Sequence, residues 1–165
     1  METEFYETVE MSTYLVALII SDFACINSTA HPKISKNVSV SVCARPEFVG
    51  QLQLALNVST KIIEFFESFY NIEYPLPKSD HVALPDFAAG AMENWGLITY
   101  RESALVYDQA KTSQNAEQYI VEVIFNSEIK NIMNLIFIFI VLISISSSFG
   151  IPENPVFSTS GIHRF

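Results

Sequence analysis

The first part of the chain shows two apolar patterns that are typical of β-strands, an unbroken run and an alternation with polar residues. The run Tyr14–Ile20 is apolar and rich in β-branched residues, which predicts a buried strand. A polar break covers Asn27–Pro32. Valine then alternates with serine or cysteine over Lys36–Ala44, with Val38, Val40 and Val42 on one face, which predicts a half-buried strand. We therefore expect a β-rich beginning that closes near Pro46.

The next part of the chain has the spacing of apolar residues that is typical of an α-helix. Apolar residues recur every three or four positions from residue 55 to residue 69, and Pro75 and Pro77 end the pattern. Short strands are predicted at Val82–Leu84 and Leu97–Tyr100. The predicted core face of the helix holds Ala55, Val58, Ile62, Phe65, Phe66 and Phe69, and its solvent face Lys61, Glu64 and Glu67. The fold class predicted from these elements is α+β.

The composition changes abruptly at Phe125. From there to the end the chain is dominated by Ile, Phe, Ser and Asn, with few charges. Leu135–Ile143 is an unbroken apolar run, and the wider segment 132–145 is shorter than the roughly 20 residues of a membrane span. Membrane association through residues 132–145 is a hypothesis that this segment leaves open.

Composition and charge narrow the functional class. The 165 residues are 50% hydrophobic, which excludes intrinsic disorder, and the net charge of −9 disfavours nucleic acid as a partner. The acidic start lacks the basic and apolar regions of a secretory signal, so the location in the cell stays open. Cys25 and Cys43 fit either a disulfide or two buried thiols. His31 and His81 are expected in surface turns.

Residues 84–102, which spell LPDFAAGAMENWGLITYRE, carry a recognisable motif. They strongly resemble the exopeptidase signature of the aminopeptidase N-like zinc metallopeptidases, whose central letters are GAMEN. Met11–Ala17, Val40–Pro46 and Tyr74–Lys78 resemble the same family in the same order. The resemblance covers about residues 11–124 and stops before the H-E-x-x-H zinc motif of the family.

The resemblance implies three parts. Residues 1–46 would be the end of the family's N-terminal β-domain, and residues 47–124 the opening part of its thermolysin-like catalytic domain. Residues 125–165 would be an unrelated apolar tail. Two origins fit the tail: translated intron sequence, or a genuine short isoform.

The motif implies a site for the free amino group of a peptide. Glu93 holds its acidic position, and a fixed carboxylate distinguishes an α-ammonium from an internal amide by pairing with the cation. Gly90 lets a peptide backbone approach closely, and Ala91 and Met92 would bind that backbone as an added strand. Asn94 is expected to orient Glu93 by hydrogen bonding. The implied partners are peptide N-termini.

The resemblance implies the family's zinc ion as the cofactor. However, the resemblance ends at the point where the zinc ligands of the H-E-x-x-H motif should begin. In register, Asn126 and Lys130 hold the histidine positions and Ser127 that of the general base. Asparagine is a poor zinc ligand and a charged lysine is none. We therefore expect no catalytic or metal-binding residues here, and an inactive fragment of a zinc aminopeptidase. The alternative is a non-catalytic peptide-binding or interaction isoform, which could pair with a full-length relative.

Three N-glycosylation triplets begin at Asn27, Asn37 and Asn57. They suit an extracellular domain, which the membrane-anchored members of the family have.

Overall fold

The computed structural model describes residue 5 and residues 7–9, 11–110 and 113–149, without the side chains of residues 114 and 134–149. Contacts divide the chain into the units Met1–Ile132 and Met133–Phe165. The first unit holds the whole sheet, and the second continues the last helix to Phe149. The strands and helices are β1 (Ala24–Ala30), β2 (Val38–Ala44), α1 (Gln53–Tyr70), β3 (Lys78–Leu84), β4 (Ala91–Met92), β5 (Leu97–Arg101) and α2 (Gln114–Phe149).

The strands form one mixed sheet in the order β1-β2-β3-β5-β4. β2, β3 and β5 are parallel, and the outer pairs β1–β2 and β4–β5 are antiparallel. This arrangement of a sheet with two long helices confirms the α+β class. Because β2 pairs with β3, strands from both sides of residue 46 share the sheet. The domain division at that residue stays a prediction.

The alternation in β2 is confirmed. Val38, Val40, Val42 and Ala44 are buried, and the residues between them are more exposed. α1 packs against β1 and β2. Cys25 and Cys43 are register partners and form a disulfide, which decides between the two alternatives for the cysteines.

Two predictions for the region before β2 were wrong. A 3-10 turn at Thr13–Leu15 replaces the start of the expected strand Tyr14–Ile20, and Leu15 alone in that run is buried. No described strand pairs with this apolar run, so its backbone does not join the sheet. The expected break at Asn27–Pro32 is instead mostly strand, since Asn27 and its successors to Ala30 pair with β2.

α1 is rotated relative to the predicted helix. Phe65 and Phe69 are 52% and 67% exposed, whereas Glu67 is buried. The carboxylate of Glu67 accepts hydrogen bonds from the backbone N–H groups of Ile34, at 2.7 Å, and Ser35, at 2.8 Å. This acidic residue therefore faces inward because it satisfies backbone donors in the β1–β2 connection. The helix ends at Tyr70 and is capped by Asn71, which has the left-handed φ of 52° common at helix C-termini.

α2 begins at Gln114 and continues through Phe125, where the composition changes, without a break. Its buried face begins with Ile120 and Ile124 and then becomes polar, with Ser127, Glu128 and Asn131 buried in the same stripe. In the described part of the chain, no helical segment reaches the length and hydropathy that a membrane crossing requires.

Candidate functional site

The motif residues form a hairpin of β4 and β5 at one edge of the sheet. A tight turn joins the strands, closed by a hydrogen bond of 3.0 Å from the Leu97 N–H to the Asn94 carbonyl. Gly96 has a φ of 77°, and a Cβ there would lie 2.8 Å from Cδ1 of Leu76. Lys78 Nζ donates to the Gly96 carbonyl at 2.8 Å. Glycine and these contacts hold the turn in one conformation.

The segment before β4 is fixed by Arg101. Its guanidinium donates to the carbonyl of Phe87 at 2.9 Å and to that of Ala88, and its backbone N–H donates to the Gly90 carbonyl at 3.0 Å. A Cβ on Gly90 would lie 3.3 Å from the hydroxyl of Tyr119, which belongs to α2. α2 therefore passes close to the glycine that opens the hairpin.

β4 is the last strand of the sheet. Ala91 and Met92 pair with β5 on one side, and no other described strand lies on the opposite side. An edge strand of this kind has backbone groups that can pair with another chain. Both residues are only partly buried.

Glu93 follows β4 directly and faces a cation from α2. Its Oε1 atom lies 3.0 Å from Nζ of Lys130. The Glu93 side chain is 18% exposed and that of Lys130 is 61% exposed. The hairpin therefore presents a largely desolvated carboxylate in contact with an ammonium group.

Asn94 is buried, but not as expected from the motif. Its Nδ2 donates to the Leu15 carbonyl at 3.4 Å, and its Oδ1 accepts from Thr99 Oγ1 at 3.2 Å. These bonds, rather than the expected one to Glu93, occupy the amide among the described residues. Asn94 therefore anchors the turn to the N-terminal segment and β5.

Beside the hairpin lies a buried polar network that sequence analysis missed. His81 is fully buried on β3, which corrects its expected place in a surface turn. It hydrogen-bonds with Tyr100 Oη at 3.0 Å and lies 3.3 Å from Oε1 of Glu128 on α2. Ser79 Oγ donates to that carboxylate at 3.2 Å. Burial, reinforced by the charge of Glu128, raises the pKa of Tyr100 well above its usual range.

The sequence contains a signal for this network. Ser79 and His81 alternate with Asp80 along β3, and they share a face with Val40 and Val42 of β2, their register partners. The strand predicted from the sequence begins at Val82, three residues after Ser79, and therefore leaves His81 in a turn. A strand extended to Lys78 places the histidine on the buried face.

The three residues that are predicted to hold the positions of the zinc motif make other contacts. Asn126 Nδ2 donates to the Glu122 carbonyl, and Ser127 Oγ donates to that of Val123, both at 2.8 Å. Lys130 pairs with Glu93. Among the described residues, no three His, Cys, Asp or Glu side chains are grouped so that they could hold a metal ion.

The glycosylation candidates are all exposed. Asn27 lies in β1 and Asn57 in α1, while Asn37 precedes β2 and hydrogen-bonds with Nδ1 of His31 at 3.0 Å. Their modification stays a prediction.

Comparison with known proteins agrees with the motif. Residues 54–129 match the model of the Peptidase family M1 domain. Endoplasmic reticulum aminopeptidase 2 of Bos taurus is 48% identical over 124 residues, 75% of this chain and 13% of that protein. Aminopeptidase N of Mus musculus is 51% identical over 124 residues, 74% of this chain and 12% of that protein. Endoplasmic reticulum aminopeptidase 1 of Homo sapiens is 51% identical over 118 residues, 71% of this chain and 12% of that protein.

The chain therefore belongs to the aminopeptidase N-like peptidases of family M1, as its motif predicts. It spans about an eighth of the length of the curated relatives it matches, with 12–13% of those proteins covered. The family match continues to residue 129, five residues beyond the limit expected from the motif and its flanks.

Proposed function

We propose that this chain carries the amine-recognition element of an aminopeptidase, in which Glu93 pairs with the α-ammonium of a peptide. The observation that carries the proposal is the contact of 3.0 Å between the Glu93 carboxylate and an alkylammonium group, that of Lys130. A peptide α-ammonium has the same charge and the same hydrogen-bond donors. A partly desolvated carboxylate favours such a cation over a neutral acetylated amine.

The edge strand supplies the second part of the proposed site. Ala91 and Met92 lie at the open side of the sheet, immediately before Glu93. A peptide extended along β4 would pair its backbone with these residues and bring its amino group to Glu93. Because Arg101 and Gly96 fix both ends of the hairpin, the strand is already in the conformation that such pairing needs.

We infer that the chain as it stands does not hydrolyse peptides with zinc. Peptidases of this family use a zinc ion, and the residues in register with its histidine ligands and with the general base do not fit that chemistry. The amide of Asn126 and the hydroxyl of Ser127 are bonded to carbonyls of their own helix. Lys130 contributes a positive charge at the place where zinc requires a neutral lone pair. The function best supported is therefore recognition of peptide N-termini without metal-dependent cleavage.

A binding experiment tests the amine site. A hexapeptide with a free N-terminus and a C-terminal fluorophore is titrated with the full chain, and fluorescence anisotropy gives its Kd. The N-acetyl form of the peptide and the variant Glu93→Gln are measured in parallel. We expect weaker binding when either partner loses its charge, by about fivefold to fiftyfold for a charge-assisted hydrogen bond.

The matched control is Glu122→Gln, which removes an exposed carboxylate from α2 that pairs with Gln118. This variant should bind the free-amine peptide as the wild type does. Equal affinity of the wild type and Glu93→Gln for that peptide would refute the proposed site.

The zinc inference is tested separately by the double variant Asn126→His/Lys130→His. Histidines four residues apart lie on one face of a helix and can hold a metal together. We expect titration with zinc to show tighter binding by this variant than by the wild type. A wild-type chain that binds one zinc ion as tightly as the variant would contradict the inference.

A further inference from the structure

The ammonium group of Lys130 is in contact with the Glu93 carboxylate, to which a peptide amine would bind. Its ammonium lies 3.0 Å from Glu93 Oε1, within the range of a charge-assisted hydrogen bond. The two residues are 37 positions apart in the sequence and meet because α2 runs beside the β4–β5 hairpin. One carboxylate that is 18% exposed has little room for two ammonium groups at once.

We propose that Lys130 is an internal, displaceable competitor at the amine site. This inference rests on the proposed function of Glu93. The lysine imitates the ligand, because it brings a primary ammonium group to the same carboxylate. A peptide can bind through Glu93 only when Lys130 has moved away.

The difference in exposure determines which partner moves. Lys130 is 61% exposed and its long side chain can rotate into water, where the ammonium is well hydrated. Glu93 lies at the end of a short strand whose neighbouring turn is fixed by Gly96 and Asn94. The lysine is therefore the movable partner, and the contact lowers affinity without closing the site permanently.

The size of the effect follows from the kind of ion pair. A pair with one well-exposed partner contributes up to about 1 kcal/mol, which corresponds to about fivefold in a binding constant. Removing the lysine charge should therefore tighten the binding of a free-amine peptide by about twofold to fivefold.

The test compares four chains in the anisotropy assay with the free-amine and N-acetyl hexapeptides. They are the wild type, Lys130→Met, Lys130→Arg and Lys61→Met. Methionine keeps the length of the side chain without its charge, whereas arginine keeps the charge. Lys61→Met removes the same charge from an exposed lysine on α1, which pairs with Glu64 at 3.2 Å.

We expect Lys130→Met to bind the free-amine peptide twofold to fivefold more tightly than the wild type. Lys130→Arg and Lys61→Met should show no such gain, and the acetylated peptide should bind all four chains with similar weakness. Because arginine retains the cation, Lys130→Arg tests the competition even if the methionine variant folds poorly: tighter binding by the arginine variant would overturn it.

The result with Glu93→Gln separates the two proposals. If that variant loses affinity while Lys130→Met binds like the wild type, Glu93 is the amine anchor and the competition is refuted. If Glu93→Gln binds like the wild type, the amine site itself is refuted, and the competition with it.

Discussion

His81 and Glu128 lie 3.3 Å apart, and both side chains are fully buried. The pair joins β3 to α2 at the point where the buried stripe of the helix changes from isoleucine to polar residues. Glu128 Oε2 has no hydrogen-bond partner among the described residues, and neither do the two amide atoms of Asn131 one turn later. Buried polar atoms without partners lower the stability of a fold by about 1–3 kcal/mol each. Glu128 and Asn131 are therefore poorly matched to the buried surroundings in which α2 places them.

Replacing Asn131 with leucine should stabilise the protein. The amide is 1% exposed and unpartnered, so its removal relieves a desolvation cost that a leucine side chain does not have. We expect Asn131→Leu to raise the free energy of unfolding by about 1–2 kcal/mol in urea denaturation.

Asn126→Leu is the matched control for that substitution. Asn126 is exposed on the same helix and bonded to the Glu122 carbonyl, so this change should have little effect. A destabilised Asn131→Leu variant would contradict the packing of α2 described above.

Glu67 should contribute to stability in a way that depends on pH. Burial alone would raise the pKa of its carboxyl group, but hydrogen bonds from Ser35 and the Ile34 N–H outweigh burial and lower the pKa below its ordinary 4.5. The contribution is therefore complete above about pH 4.5 and is lost as the pH falls through the lower folded-state value.

Glu67→Gln should cost about 2 kcal/mol at pH 7, because a neutral amide replaces a charged acceptor. Urea denaturation at pH 7 and pH 3 should show that this difference shrinks in acid. Glu73→Gln, at an exposed position just after α1, should show no loss at either pH. The same loss at both pH values for Glu67→Gln would mean that its charge has no part in stability.

The hairpin turn should not tolerate a side chain at position 96. Gly96→Ala combines a φ of 77° with a contact of 2.8 Å to Leu76, so we expect a loss of about 1–3 kcal/mol in thermal or urea unfolding. Gly50→Ala is the comparison, since a Cβ there meets nothing within 4 Å. Equal stability of both variants would show that the turn can adopt another conformation.

Reduction of the disulfide should destabilise the β1–β2 hairpin. Cys25 and Cys43 are 18 residues apart, and closing a loop of that size contributes about 3 kcal/mol in the chain-entropy account. The wild type should therefore unfold at a lower temperature after treatment with dithiothreitol. Cys25→Ser/Cys43→Ser should resemble the reduced wild type and be insensitive to the reagent.

The pattern of apolar and polar residues predicted those elements that have one buried face and one exposed face. The valines of β2 are the clearest case, because their alternation follows directly from the pleat of the strand. α1 was predicted as a helix, but its orientation depends on Glu67, which faces inward to bind backbone N–H groups more than thirty residues away. The hydrophobic periodicity of a sequence does not predict a contact between residues that lie so far apart along the chain.

The candidate site was predictable only as far as its motif. The resemblance identified Gly90–Asn94 as a unit, and the structure places them in a hairpin at the sheet edge. The contact of Glu93 with Lys130 depends on the course of α2 and could not be foreseen from either residue alone. His81 was missed for a related reason: a single histidine beside an aspartate suggests a turn, and only the full length of β3 shows that it is buried.

The central claim is that Glu93 is the anchor for an ammonium group. Zero-length coupling with a carbodiimide tests it directly, because an activated carboxylate couples fastest to an amine that is already in contact with it. The full chain is treated with and without the free-amine hexapeptide, and the products are mapped by mass spectrometry. We predict a Glu93–Lys130 linkage in the free chain, and a linkage of Glu93 to the peptide α-amine that replaces it as peptide is added. Peptide coupled to other carboxylates but not to Glu93 would contradict the account.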